Sequence, residues 1–142
     1  MNRLQQLKAF LDKHIDYRGA VAGATILGLV VFWLNYDHGM AGATTAALKQ
    51  ATYTFFAGGY MMRLNERLSL AFNPAPLGVL AGVLGAGSLA VMLTYFLHSL
   101  RGTPEPFHST LPTIVLVTFG FTALGCWNRY KLALERAAED TG

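Results

Sequence analysis

Four apolar stretches dominate the chain, at roughly 20–36, 41–62, 77–98 and 111–128. Each approaches the about 20 residues that a helix needs to cross a bilayer. Lipid offers a backbone no hydrogen-bond partners, so only a helix or a closed barrel can span it. The pattern therefore predicts an all-α polytopic membrane protein, with four transmembrane helices in two hairpins forming one domain over residues 1–142. Composition agrees, since 53% of the residues are hydrophobic, only 13% are charged and mean hydropathy is +0.36. Such a chain is too apolar for an ordinary soluble domain. Ala41-Gly42-Ala43 has the form of a signal cleavage site after the first stretch. The preceding leader is long and carries Asp12 and Asp16, unlike a short basic secretory leader, so the stretch reads as a span.

Lysine and arginine set the orientation, because short cytoplasmic segments carry an excess of them. Arg3, Lys8, Lys13 and Arg18 precede the first span, Arg63 and Arg67 follow the second, and Arg129, Lys131 and Arg136 follow the fourth. The two other connections, "NYDHG" and "HSLRGTPEPFHST", hold only Arg101. Both termini are expected on the cytoplasmic side, in a bacterial inner membrane. Within residues 1–18, Leu4, Leu7, Leu11 and Ile15 recur at helical spacing between Lys8, Asp12, Lys13 and Asp16. This describes an amphipathic helix, lying either in the headgroup region or against the cytoplasmic end of the bundle. "FNPAP" breaks the chain after the second span, because Pro74 and Pro76 each lack a backbone donor. It forms a hinge between the hairpins.

The hairpins also read as duplicates. A shift of 66 positions places Thr52 on Thr118, Phe55 on Phe121, Ala57 on Ala123, Gly59 on Gly125 and Arg63 on Arg129, while Lys49 meets Val115. A shift of 60 places His38 on His98 and Gly42 on Gly102. A parallel repeat about an axis along the membrane normal would follow.

A polar stripe gives the candidate binding residues. At 100° per residue, Thr45, Lys49, Thr52, Phe56 and Arg63 share one sector of the second helix, and Thr118, Thr122, Gly125 and Arg129 share a face of the fourth. An unpaired ammonium at the centre of a span costs about 2.5–3.5 kcal/mol. Lys49 must therefore snorkel to the outer headgroups or meet an anion such as Asp37, a lipid phosphate or a substrate. Glycine seams at Gly19 and Gly23, and at Gly78, Gly82 and Gly85, fit close helix approach within the bundle or between protomers. "TPEPFHSTLP" reads as a stiff loop, with Pro112 in the first turn of the fourth helix after a Ser109 or Thr110 cap.

Asp37, His38, His98, Glu105 and His108 fall on the outer side, and imidazoles with carboxylates are what zinc binding or acid and base catalysis requires. No HxxxH, HxxE or HExxH spacing fixes them on one helix face. No span carries Asp or Glu, so proton exchange built on an intramembrane carboxylate lacks its titrating group. Cys126 is the only cysteine, which excludes an internal disulfide and a multi-cysteine metal cluster. Neither a phosphate-binding loop nor a cofactor motif is present, and no basic and aromatic stripe suits nucleic acid.

The leading expectation is a small membrane protein that binds or moves a lipid-like or anionic substrate. Lys49, Thr45, Thr52, Arg63, Arg129 and Thr122 would be its contacts, without a cofactor or metal. A non-catalytic structural subunit, self-associating or docked on larger membrane partners, is the second expectation. A membrane-embedded enzyme using the outer histidines is the third. The size, the topology and the "NRYKL" segment at 128–132 resemble small four-span proteins that assist the movement of lipid-linked sugars. That resemblance implies a lipid-linked substrate and assigns no residue.

Overall fold

A computed structural model describes residues 2–102 and 104–140, without the side chains of His38 and Ser109. The described residues are almost entirely helical and include no strand. Three helices are long and apolar enough to cross a membrane: Tyr17–Leu34 (α2), Ala75–Leu100 (α5) and Pro106–Glu139 (α6). Two further helices, Met40–Tyr53 (α3) and Gly59–Ala71 (α4), are joined by a π-helical turn at Thr54–Gly58, and Arg3–His14 forms α1. The chain divides into two compact units, Met1–Arg63 and Leu64–Gly142.

In the first unit, α1 starts at an Asn2 cap whose Oδ1 accepts from the Leu4 amide at 2.7 Å, while Gln5 Oε1 accepts from the Asn2 amide at 2.9 Å. None of its residues is buried, and Leu4, Leu7 and Phe10 are more than half exposed. Leu11 is half-buried, so the apolar face is covered only towards its C-terminal end. Two residues interrupt the helix before α2. Ile15 is buried, and Asp16 caps α2 by accepting from the amides of Arg18 and Gly19 at 3.2 and 3.3 Å. The α2 face of Ala20, Ala24 and Gly28 is buried. Small side chains let the following helix approach closely: a Cβ on Gly28 would stand 3.3 Å from Ala51 Cβ, and one on Gly59 would stand 2.8 Å from Ala20 Cβ. Gly39, with φ of +82°, ends the short 3-10 turn Tyr36–His38 that reverses the chain.

In the second unit, α5 and α6 run antiparallel, with Gly87 beside Val117 and Gly125 beside Val79. Positive-φ Gly102 lies in their connection. The C-terminal part of α4 packs against both. Asn65 Nδ2 donates to the Phe121 carbonyl at 3.3 Å, Ser69 Cβ lies 3.6 Å from where a Gly125 Cβ would sit, and Arg129 Nη1 donates to Asn73 Oδ1 at 3.2 Å. Successive residues of α4 thus pair with successive residues of α6, so the two run parallel. Gly78 and Gly82 face Ser69 and Asn65 in the opposite sense.

Three sequence-based boundaries require correction. The second apolar segment is helical from Met40 to Ala71 but is not one α-helix, because the π-turn divides it. Residues 63–71, expected as a loop, continue as helix. Their polar side chains are tolerated because Asn65 and Ser69 are fully buried against glycines with no side chain to exclude them. The last helix begins at Pro106 and not near 111, so Pro112 is interior to it. Proline suits a first helical position, and Pro106 holds that place. Thr110 is no cap: its hydroxyl donates back to the Pro106 carbonyl at 2.8 Å.

Candidate functional site

A combined polar and apolar arrangement lies within the second unit, between α5 and α6. A groove of about 620 Å³, open along one side, is walled by Pro76, Val79, Leu80 and Val83 from α5 and by Thr118, Thr122, Cys126 and Arg129 from α6. Its volume falls within the range of small-molecule sites, about 300–1,000 Å³. From Thr118 to Arg129 it follows α6 for roughly 16 Å at the helical rise of 1.5 Å per residue. This is about half of a hydrocarbon core of about 30 Å, the depth of one leaflet.

The threonines contribute less polarity than their names suggest. Thr118 Oγ1 donates to the Ile114 carbonyl at 2.7 Å, and Thr122 Oγ1 donates to the Thr118 carbonyl at 2.6 Å. With each hydroxyl turned back onto its own helix, the wall exposes mainly methyl groups. Thr45 on α3 behaves alike, donating to Ala41 at 2.8 Å. Between Thr118 and Thr122 the expected stripe of α6 is therefore polar in residue type but nearly apolar in surface.

Arg129 is the exception. It closes one end of the groove, half-buried, and its guanidinium lies over Gly78, where any Cβ would collide with it and with the Ser69 and Phe72 carbonyl oxygens. Nη1 is engaged by Asn73. Nε and Nη2 are buried without a hydrogen-bond acceptor. These two atoms form one edge of the guanidinium fork, and Nη2 packs over Gly78. An unsatisfied buried donor costs about 1–3 kcal/mol, and more when it is charged.

Thr122 and Arg129 are thus brought to one groove. Thr45, Lys49 and Thr52 lie exposed on α3 in the first unit. Arg63 is half-buried there, with Nη2 donating to the Ile15 carbonyl at 3.5 Å, the residue that ends α1. Of the outer cluster, Glu105 and His108 form a 3.0 Å pair one turn apart with both side chains about 70% exposed, an arrangement that adds little stability. His98 is half-buried in the last turn of α5, and Asp37 is exposed. The His38 side chain lies outside the described residues. Among the described residues no group of three His, Cys, Asp or Glu side chains is placed to hold a metal ion.

Sequence reading missed the interior polar residues Asn65, Ser69 and Asn128, which are 0%, 0% and 5% exposed. Their signal was the i, i+4 spacing of Asn65 and Ser69, which matches that of Gly78 and Gly82 on the helix they meet. No protein-family model, no curated protein and no solved structure matches the chain.

Proposed function

We propose that the protein is a four-span integral membrane protein of the bacterial inner membrane that binds an anionic lipid of the cytoplasmic leaflet in the α5–α6 groove. The acyl chain lies along Val79, Leu80 and Val83, and the acidic head accepts from Arg129. The observation that carries this reading is the open apolar groove of single-leaflet depth with the half-buried Arg129 at one end. Charge-assisted hydrogen bonds to a guanidinium contribute about 1.5–3 kcal/mol.

The four-span topology rests on charge and on helix direction. The end of α2 at Arg18 and the end of α5 that follows Arg67 both lie beside cations, so the helical segment between α2 and α5 must return across the membrane. The parallel course of α4 and α6, each carrying an arginine at Arg63 and Arg129, supports that return. Both termini are then cytoplasmic, and Lys49 stands on the outer half, able to meet the outer headgroups. The glycine seams support packing inside each unit and not a docked subunit, since Gly23 and Gly28 meet Thr54 and Ala51, and Gly82 meets Asn65.

Native mass spectrometry of the detergent-extracted protein tests the proposal. Wild type and an Arg136→Gln control, altered in the exposed tail, should retain acidic lipid. Arg129→Gln should retain about ten- to a hundredfold less, the equivalent of about 1.5–3 kcal/mol. Equal retention by Arg129→Gln would overturn it.

A further inference from the structure

We propose that α1 is an interfacial anchor. It lies in the plane of the cytoplasmic leaflet, seats Leu4, Leu7 and Phe10 at the boundary between headgroups and acyl chains, and holds acidic phospholipid headgroups with Arg3, Lys8 and Lys13. The choice of leaflet rests on the topology proposed above. The surface itself belongs to the first unit and is separate from the α5–α6 groove.

Local bonds start α1 but do not suffice to hold it. Asn2 and Gln5 cap its first turn reciprocally, and His14 Nδ1 lies 2.8 Å from the Phe10 carbonyl oxygen in its last. A free helix shorter than about 12–15 residues is nonetheless marginal in water. With 12 residues, α1 needs a surface to lie on. The burial it gains within its unit is confined to the C-terminal end, where Leu11 and His14 are half-buried and the His14 ring stacks 6.4 Å from Tyr60. Leu4, Leu7 and Phe10 remain 73%, 53% and 58% exposed.

The break after α1 decides which surface is within reach. Ile15 is buried, the Asp16 amide donates to the Gly59 carbonyl at 3.1 Å, and Arg63 Nη2 donates to the Ile15 carbonyl at 3.5 Å. These contacts fasten the end of α1 to the hairpin only two residues before the apolar helix α2 begins. The bilayer that receives α2 is therefore the apolar phase next to α1. Crossing needs about 20 residues, so a helix of this length lies on the bilayer and does not span it.

Charge placement selects lipid over a protein groove. At about 100° per residue, Phe10, Leu7, Leu11 and Leu4 occupy a sector of about 120°, with Lys8 just beyond one edge and Lys13 beyond the other. A helix lying flat has both flanks at headgroup depth, where lysines on either side snorkel to phosphates. A protein groove would need an acidic wall on each side. Arg3, Lys8 and Lys13 outnumber Asp12, the single acid of α1, which makes the helix complementary to an acidic leaflet.

Spin-label scanning of the full chain in bilayer discs tests the anchor. In a Cys126→Ser background, Leu4→Cys, Gln5→Cys, Leu7→Cys and Ala9→Cys each carry a nitroxide, whose collisions with oxygen and with a water-soluble nickel chelate are measured. All four positions are exposed, and the apolar label preserves the character of the face. In discs containing phosphatidylglycerol the ratio of oxygen to nickel collisions should follow the helical period of about 3.6 residues, high at Leu4→Cys and Leu7→Cys and low at Gln5→Cys and Ala9→Cys. Equal nickel access at Leu7→Cys and Ala9→Cys means a solvated helix, and low access of both reagents at Leu7→Cys means cover by a second copy or a partner protein. Either result overturns the proposal. In discs of zwitterionic lipid alone the ratio at Leu7→Cys should fall severalfold, and adding Arg3→Gln and Lys8→Gln should give the lower ratio in both kinds of disc. An equal ratio in the two discs without those substitutions overturns the headgroup contacts. Discs expose both bilayer faces to the reagents, so sidedness does not enter, and failure of lipid binding in the groove shows separately as equal acidic-lipid retention by Arg129→Gln.

Discussion

Gly82→Ala probes the packing that turns residues 64–71 from an expected loop into part of a helical unit. A Cβ at this position would stand 2.8 Å from Asn65 Nδ2 and 3.0 Å from the Asn65 carbonyl oxygen. The oxygen belongs to the α4 backbone and cannot swing aside, so α4 or α5 must shift, an overpacking cost of about 1–3 kcal/mol. Alanine also gains about 1 kcal/mol over glycine in helix propensity, which partly masks the cost. Gly120→Ala removes the ambiguity. Gly120 lies in α6 with nothing within 4 Å of its would-be Cβ, so this variant receives the propensity gain alone. The gain cancels between the two, and Gly82→Ala should be less stable than Gly120→Ala by about 1–3 kcal/mol. Thermal unfolding of both variants in one detergent, followed by circular dichroism, reads the difference as a melting midpoint several degrees lower for Gly82→Ala. A Gly82→Ala protein as stable as Gly120→Ala would refute the close approach of α4 to α5.

Other expectations follow from exposure and charge. Lys49→Met should leave stability within about 0.5 kcal/mol of wild type, as surface substitutions do, and should leave acidic-lipid retention at Arg129 unchanged; a large loss of either in melts and native mass spectra would contradict its exposed placement. Asn65→Leu should destabilise the protein by about 1–3 kcal/mol, since it removes the bond to the Phe121 carbonyl from a fully buried site and crowds Gly82, whereas Glu105→Gln should leave the melting midpoint unmoved. In a Cys126→Ser background, Glu105→Cys should label with a membrane-impermeant maleimide from the outer side of intact cells, and Asp140→Cys only after permeabilisation; the opposite pattern would reverse the topology.

The apolar stretches located α2 and α5 to within a few residues, because hydrophobicity sustained over a membrane's thickness is a local property of the sequence. The helix after Arg63 was not legible in the same way. "LNERLS" has the composition of a cytoplasmic loop, and only its pairing with Gly78 and Gly82 makes a buried polar face affordable. Pro112 misled for a related reason: two prolines compete for the first turn of α6, and spacing alone does not choose Pro106. At the site, Arg129 and Thr122 could be named from a shared helix face. The wall from α5, the engagement of Arg129 by Asn73 and the inward turn of the threonine hydroxyls are tertiary or rotameric facts with no signature in the order of residues.

The most direct test of lipid binding in the groove uses Cys126, which is exposed and lines it. The alkylation rate of Cys126 by a short neutral maleimide should be measured in bilayer discs of zwitterionic lipid alone and in discs that also contain phosphatidylglycerol. Occupancy of the groove by an acidic lipid should slow the reaction in the second discs by about tenfold, the effect of a headgroup interaction of about 1.4 kcal/mol, and Arg129→Gln should abolish the difference. Equal rates in the two kinds of disc for the wild-type protein would contradict the account.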